Sequence, residues 1–470
     1  MKIEQIYTGC IAQAAYYLES NGEAAIFDPL REVQPYLDRA NKDNAKIKYI
    51  FETHFHADFV SGHLDLAKKS GGQIVYGPTA KPEFEAIIAT DNQEFKVGNY
   101  TIKAIHTPGH TLESTCYLLI GETGNLHGII TGDTLFIGDV GRPDLAQALV
   151  DDLTQEKLAS YLFDSLRNKI MPLPDDLIVY PSHGAGSACG KNMSKETTDT
   201  LGNQKKTNYA LRADMTREEF TKELLDGLGL PPAYFPQNVM LNIQGYESLD
   251  AILEKSKKAL TPAEFETLAN QAEAVVLDVR HEDDFVKKHI PNSIFIGIQG
   301  NFAPWVGALL ADVKQPLLLV TPEGKEEETI TRLSRVGFDH VLGYLAGGID
   351  AWEKAGYETD SMASIKPEQF ASELSEKSVV VDARKPSEFE AEHVENAINI
   401  PLDTINSNFA AVPKDETFYL HCAGGYRSVI MASILKSRGY HHLINVEKGI
   451  NGIRNAGIPL TQFVCPSTQK

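Results

Sequence analysis

The residues Thr53-His-Phe-His-Ala-Asp58-Phe59-Val-Ser-Gly62-His63 place two imidazoles and a carboxylate, His54, His56 and Asp58, at alternate positions. Imidazole and carboxylate bind divalent first-row metals, so three of them in one short loop is a dense ligand supply. Three later apolar runs end on the same kinds of group: TIKAIHTPGH at His110, HGIITGD at Asp133 and LIVYPSH at His183. A glycine (Gly109, Gly132, Gly184) adjoins each. Ligands delivered from the ends of separate strands are how a rigid scaffold builds a metal site. A second chemistry stands further along. In FYLHCAGGYRSVIMA an apolar strand ends at Cys422, Gly424 and Gly425 follow, and Arg427 opens a helix. Backbone N–H groups at a helix N-terminus and a nearby guanidinium favour thiolate over thiol, which makes Cys422 a nucleophile. Ala423, Gly424, Gly425, Tyr426 and Ser428 form the loop expected to hold its sulfur.

The elements that must position these groups can be read in outline. Ile47 to Phe51 (IKYIF) is β-branched and aromatic, a buried strand leading into the His54 loop. Residues 1 to 30 alternate as two strands around the hairpin signal Asn21-Gly22, and short strands recur from 95 to 135. Helices are predicted at 31–41, 62–70, 153–168 and 205–228, the last with Thr216 as cap and Glu218 and Glu219 in its first turn. Pro231 to Lys258 reads as a linker. The second half then repeats: Asp278, Arg280, Phe285 and His289 recur as Asp382, Arg384, Phe389 and His393, each 104 positions on. Each copy reads helix, strand, Asp-x-Arg, helix, strand, an α/β unit with a parallel sheet. A short linker, Ser361 to Ile365, separates them. In the first copy the strand PLLLV runs into Thr321-Pro322-Glu323-Gly324, so Thr321 stands where Cys422 stands and Glu326 near the position of Arg427.

Composition bounds the possibilities. A chain of 470 residues, 42% hydrophobic, is expected to hold about three packed domains. No apolar run approaches the roughly 20 residues of a membrane helix. A net charge of −20 without a Lys/Arg cluster argues against nucleic acid and anionic membranes as partners. The opening MKIEQIYTGC lacks the pattern of a secretory signal, so a cytoplasmic protein is expected. Five cysteines (Cys10, Cys116, Cys189, Cys422, Cys465), an odd number without CxxC, disfavour a disulfide framework and structural zinc. Cys10, Cys116 and Cys465 read as structural or incidental.

The strand-end ligand set over about the first 240 residues resembles the metallo-β-lactamase fold, an αββα sandwich. The repeat resembles the rhodanese fold, and the Cys422 loop its active-site loop. The resemblances imply an α/β multidomain chain: a metallo-β-lactamase-like domain at 1–245, a degenerate rhodanese-like domain at 258–360 and a catalytic one at 362–470. A ring of six residues from Cys422 to Arg427 is, in that family, the short form that accommodates a persulfide sulfur rather than a phosphate. Sulfur transfer through Cys422, with Arg427 in support, is therefore expected, and no persulfide at Thr321.

Hydrolases of the metallo-β-lactamase fold commonly carry His at the position of Phe59, which would strengthen a second metal site; here one metal is expected. The whole architecture is similar to the persulfide dioxygenase-rhodanese fusion family. That likeness implies one Fe(II) per chain, held by His54, His110 and Asp133, with His56, Asp58 and His183 behind the ligands, orienting them or ordering water. Imidazole and carboxylate suit Zn equally. The implied substrates are a low-molecular-weight thiol persulfide and O2, with sulfite and thiosulfate as products and a homo-oligomeric assembly. Arg142 could pair with an anionic group on the thiol carrier or with Asp144 beside it, and Cys189 in His183-Gly-Ala-Gly-Ser-Ala-Cys189 could contact substrate or accept sulfur. A zinc thioesterase of the glyoxalase II kind and a non-enzymatic sulfur carrier are the alternatives.

Overall fold

Alternation in the strand Gln13–Ser20 sends side chains into two different cores. Ala14, Tyr16 and Leu18 face one way, Ala15 and Tyr17 the other, and nearly the whole strand is buried. The first set joins Phe27, Phe51, Phe95, Tyr117 and Ile130 between two sheets, where Phe51 stacks on Phe27 at 5.0 Å and lies 4.8 Å from Tyr117. The second set meets Val33, Tyr36 and Leu66, from or beside the helices Gln34–Lys42 and His63–Ser70. A third cluster (Ile105, Leu118, Ile129) covers the far face of the other sheet with Leu162 and Phe220. These last two come from the helices Gln155–Ser165 and Arg217–Leu225. The result is a layered αββα sandwich, each fully buried large side chain contributing roughly 1.5–3 kcal/mol.

The structure is a computed structural model that describes residues 2–144, 153–310 and 312–461. It divides into two compact units, Met1–Ile252 with Thr331–Phe338, and Leu253–Ile330 with Asp339–Lys470. In the first unit one sheet runs, in spatial order, Lys2–Thr8, Gln13–Ser20, Glu23–Phe27, Lys46–Phe51, Gln73–Tyr76 and Ile87–Ile88. The other runs Asp199–Thr200, Ile178–Pro181, Leu126–Gly132, Thr115–Ile120, Tyr100–His106 and Glu94–Val97. Both mix parallel and antiparallel neighbours. A bridge between Gln13 and His183, with Ala14 N–H donating to Ser182 O at 2.8 Å, stitches the first hairpin to the loop that carries the last site histidine.

In the second unit each repeat forms a five-stranded, all-parallel sheet: Ala259–Leu260, Val341–Leu345, Leu317–Val320, Val275–Asp278, Ile294–Phe295, and then Ser364–Ile365, Leu443–Val446, Phe418–His421, Val379–Asp382, Ile398–Asn399. The repeated residues do the same work in both. Arg280 and Arg384 fork onto Asp278 and Asp382, and His289 and His393 stack on Phe285 and Phe389 at 4.0 and 3.8 Å.

Several sequence expectations shift. The helix predicted over 205–228 is two, Leu201–Thr207 and Arg217–Leu225, parted where Asn208 turns its amide to Phe136 O and Asp139 O. Thr216 caps the second, in a capping box with Glu219. The segment read as a linker carries the helices Phe235–Gln244 and Leu249–Ser256. Its Pro236 sits in a first helical turn, where no N–H is needed. Cys465 lies outside the described residues.

Candidate metal centre and sulfur loop

The strand Lys46–Phe51 hands the chain to a loop in which every residue from 51 to 63 is buried. His54, His110 and Asp133, from three strand ends, offer ligand atoms all within 4.8 Å of one another. Asp133 Oδ2 lies 3.4 Å from His110 Nε2 and 3.9 Å from His54 Nε2. Donors about 2.1 Å from one ion stand about 3 Å apart, so a small inward adjustment would close this set on a cation. None of the three facing atoms has a hydrogen bond. A buried polar atom left unpaired costs roughly 1–3 kcal/mol, and a shared cation would satisfy all three. Glycines permit the approach: a Cβ at Gly132 (φ 53°) would lie 2.6 Å from Thr53 Cβ, and one at Gly141 2.2 Å from Asp133 O.

Surrounding groups fix the tautomers. His110 Nδ1–H donates to Arg142 O at 2.8 Å, which leaves the Nε2 lone pair toward the site. Thr53 Oγ1 donates to Asp28 Oδ2 and accepts from His54 Nδ1 at 3.0 Å, with the same result. Burial, then the neighbouring His56, depresses His54 well below the usual imidazole range, so it presents as a neutral donor. Burial opposes the charge on Asp133, but His183, His54 and His110 outweigh it and hold the carboxyl below its ordinary range. The donor set is thus two imidazoles and one carboxylate, apt for a divalent ion.

His183 stands behind Asp133, its Nδ1 2.8 Å from Asp133 Oδ1. Its Nε2 is 2.8 Å from Asp58 Oδ2 but off the line of a hydrogen bond. Burial lowers its basicity; Asp133 and Asp58 overcome this and raise it well above normal. His56 makes no hydrogen bond to the three converging residues. Its Nε2 faces Asp28 Oδ1 at 3.1 Å and Glu52 Oε2 at 3.4 Å; against the effect of burial, these carboxylates push it up to about 10. Its ring lies 4.2 Å from that of His54, and the two also share Asp28, which accepts from Thr53 N–H, Thr53 Oγ1 and Ser182 Oγ. Asp28 and Glu52 are site residues that sequence reasoning missed. The available signal was an acidic residue closing each of the runs AAIF and YIF. The would-be linker also serves here: Asn242 holds His56 O, Phe59 O and Ser61 N–H.

Asp58, His183 and Cys189 form a second group with ligand atoms within 4.8 Å. Phe59 is fully buried, its ring 4.2 Å from that of His56. Cys189 is buried, and burial followed by Asp58 and Asp133 raises its thiol well above the usual value. Arg142 is paired internally: its guanidinium meets Asp144 at 2.6 Å, Ala188 O and Gly229 O, and is 93% covered. That geometry contains the loop salt bridge with Asp144 considered from the sequence.

Cys422 follows the central strand Phe418–His421 and is 1% exposed. Gly425 N–H donates to its Sγ at 3.2 Å. Arg427 forks onto Glu388 at 2.6 and 2.8 Å, and Ser428 Oγ ties Gly425 O to Asn445. Ile450 N–H and Asn451 N–H hold the carbonyls of Cys422 and Ala423. In the first repeat Glu326 reaches back into its own loop, taking Thr321 Oγ1 at 3.3 Å and Gly324 N–H at 3.2 Å.

Comparison with known proteins agrees with this architecture. The chain matches the Metallo-beta-lactamase superfamily over residues 8–183 and the Rhodanese-like domain over 261–355 and 366–456. A probable hydroxyacylglutathione hydrolase of Schizosaccharomyces pombe is 31% identical over 38% of this chain and 66% of its own length. The hydroxyacylglutathione hydrolase of Pseudoalteromonas translucida is 32% identical over 43% and 70%. The chain thus spans about two thirds of the length of these relatives. A metallo-beta-lactamase from Staphylococcus aureus of known structure is 30% identical, with a TM-score of 0.63 covering 74% of this chain and 98% of that one. The chain belongs to the metallo-beta-lactamase superfamily, its N-terminal domain of that fold followed by two rhodanese-like domains.

Proposed function

We propose that the chain is a bifunctional sulfide-detoxification enzyme: a thiol persulfide dioxygenase joined to a sulfurtransferase. The observation that carries this reading is the His54, His110, Asp133 set, three unpartnered buried ligand atoms within 4.8 Å of one another, beside a His56 whose Nε2 faces Asp28 and Glu52. Fe(II) held by such a triad would keep open positions for O2 and a sulfur ligand and supply the electron transfer that O2 chemistry needs. The chain's own part is to present His54 as a neutral donor, aim His110 Nε2 at the site through Arg142 O, keep Asp133 ionised through His183, and exclude bulk water with a buried loop. Persulfide, O2 and water then become thiol and sulfite, with two protons released. At the other centre the Cys422 thiolate attacks the outer sulfur of a persulfide, expelling the carrier thiol. Sulfite attack on that sulfur gives thiosulfate and restores the thiolate. Sharing one chain raises the local concentration of the intermediate. Iron-loaded protein should consume O2 and form sulfite when a low-molecular-weight thiol persulfide is added; no uptake would refute the reading.

A second reading is a thioesterase with two zinc ions. The Asp58, His183, Cys189 group and the hydroxyacylglutathione hydrolase relatives favour it. Two zinc ions per chain together with hydrolysis of an S-lactoyl thiol would establish it instead.

A further inference from the structure

The helix Tyr426–Ser437 begins at the Cys422 loop and is buried from Ser428 to Leu435. Part of its cover is the first repeat. Phe295 N–H, on the edge strand Ile294–Phe295, donates to Ser433 Oγ of this helix at 3.0 Å. Asn406 Nδ2 donates to Leu309 O at 3.0 Å nearby. The matching edge strand of the second repeat, Ile398–Asn399, leaves Ile398 42% exposed, so the docking is one-sided.

The contact reaches the sulfur loop through Tyr426, which lies between Gly425, the donor to Sγ, and Arg427. Its hydroxyl donates to Gly297 O of the first repeat at 2.7 Å, and its ring meets Phe295 edge-on at 5.9 Å. Glycines floor the slot that receives it. A Cβ at Gly297 would come 3.2 Å from Tyr426 Cε2 and 2.9 Å from Arg280 O, and one at Gly300 3.7 Å from Tyr426 Cζ. Gly425 needs outside support, because it sits at φ 120°, ψ −36° with no side chain to limit its alternatives. Ser428 fixes its carbonyl from within the domain. Tyr426 anchors the next residue from across the junction.

We propose that the first repeat is a working part of the Cys422 site. Gly297 holds Tyr426, a positioning residue, so that Gly425 N–H stays aimed at the sulfur. This rests on Cys422 as the sulfur carrier. It gives the repeat that has Thr321 in place of a thiol a task of its own: setting how readily its neighbour's sulfur carries charge.

The test is the pH dependence of Cys422 alkylation by iodoacetamide, read on the Cys422 peptide by mass spectrometry, for the full chain and its Tyr426→Phe and Gly297→Ala variants. Sulfur transfer from thiosulfate to cyanide is measured alongside. Loss of one buried hydrogen bond should move the alkylation midpoint to higher pH and slow alkylation at neutral pH about threefold to tenfold. The kcat should fall by a similar factor, with KM for thiosulfate nearly unchanged, and Gly297→Ala should reproduce this from the other repeat. If Gly297→Ala fails to fold, Tyr426→Phe decides alone. A wild-type pH profile in the folded variants would overturn the proposal. Full sulfur transfer by Cys422→Ser would instead overturn the carrier reading, which the alkylation profile does not depend on.

Discussion

In both repeats an arginine closes onto the aspartate ending the first long strand, Arg280 on Asp278 and Arg384 on Asp382, and a histidine stacks on a phenylalanine one helix later. The frames agree to that level of detail. At the loop after the central strand they part. One loop aims a backbone N–H at a sulfur and sets Arg427 beside it; the other turns Glu326 onto Thr321 and an amide of its own loop. The fold therefore supplies the same loop twice, and a few residues decide whether its backbone faces a cysteine sulfur or a carboxylate of its own.

That contrast can be broken or sharpened experimentally. Cys422→Ser should reduce sulfur transfer at least about a thousandfold, since nothing in the first repeat can replace the thiol; residual transfer above that level would show the repeats to be functionally closer than their loops. Arg427→Ala should cost about a hundredfold in the same assay, the scale of losing one preorganised charge stabiliser. Thr321→Cys should give a thiol alkylated at least about tenfold more slowly than Cys422, with Glu326 both filling the loop and repelling thiolate, and Thr321→Cys with Glu326→Arg should recover much of the difference. The smallest effect belongs to Glu388, whose bond to Arg427, against some burial, holds its carboxyl below the usual range. A depressed carboxylate stabilises above its unfolded value, near 4.3, and that contribution is lost as pH falls through the folded value. Wild type and Glu388→Gln should accordingly differ by under about 1 kcal/mol in unfolding free energy at neutral pH, a difference that vanishes on acidification.

Much of the architecture was legible because its signals are local. The IKYIF run into a His-x-His-x-Asp loop, the recurring Asp-x-Arg and the Cys-to-Arg ring each declare a strand end and what hangs from it. The convergence of His54, His110 and Asp133 follows from such endings sharing one edge of the sandwich. What sequence could not supply is direction. His56 stands two residues from His54 with its ring 4.2 Å from that of His54, yet its Nε2 faces Asp28 and Glu52, and Asp28 reaches it only through the fold. Arg142 is spent on Asp144 and two distant carbonyls for the same reason. The supposed linker was misread because Pro231-Pro232 and Pro236 suggest a loop, whereas only packing reveals that Asn242 braces the metal loop.

The bridge between Gln13 and His183 has a temporal meaning. Its partners lie 170 positions apart (183 − 13), so this pocket wall closes only once the strands from Gln13–Ser20 to Ile178–Pro181 are available to fold. A nascent chain that has exposed the His54 loop alone holds Asp133 and its buttress in neither place nor charge state. Ion capture should therefore come after Gln13 and His183 have paired, not while the His54 loop stands alone.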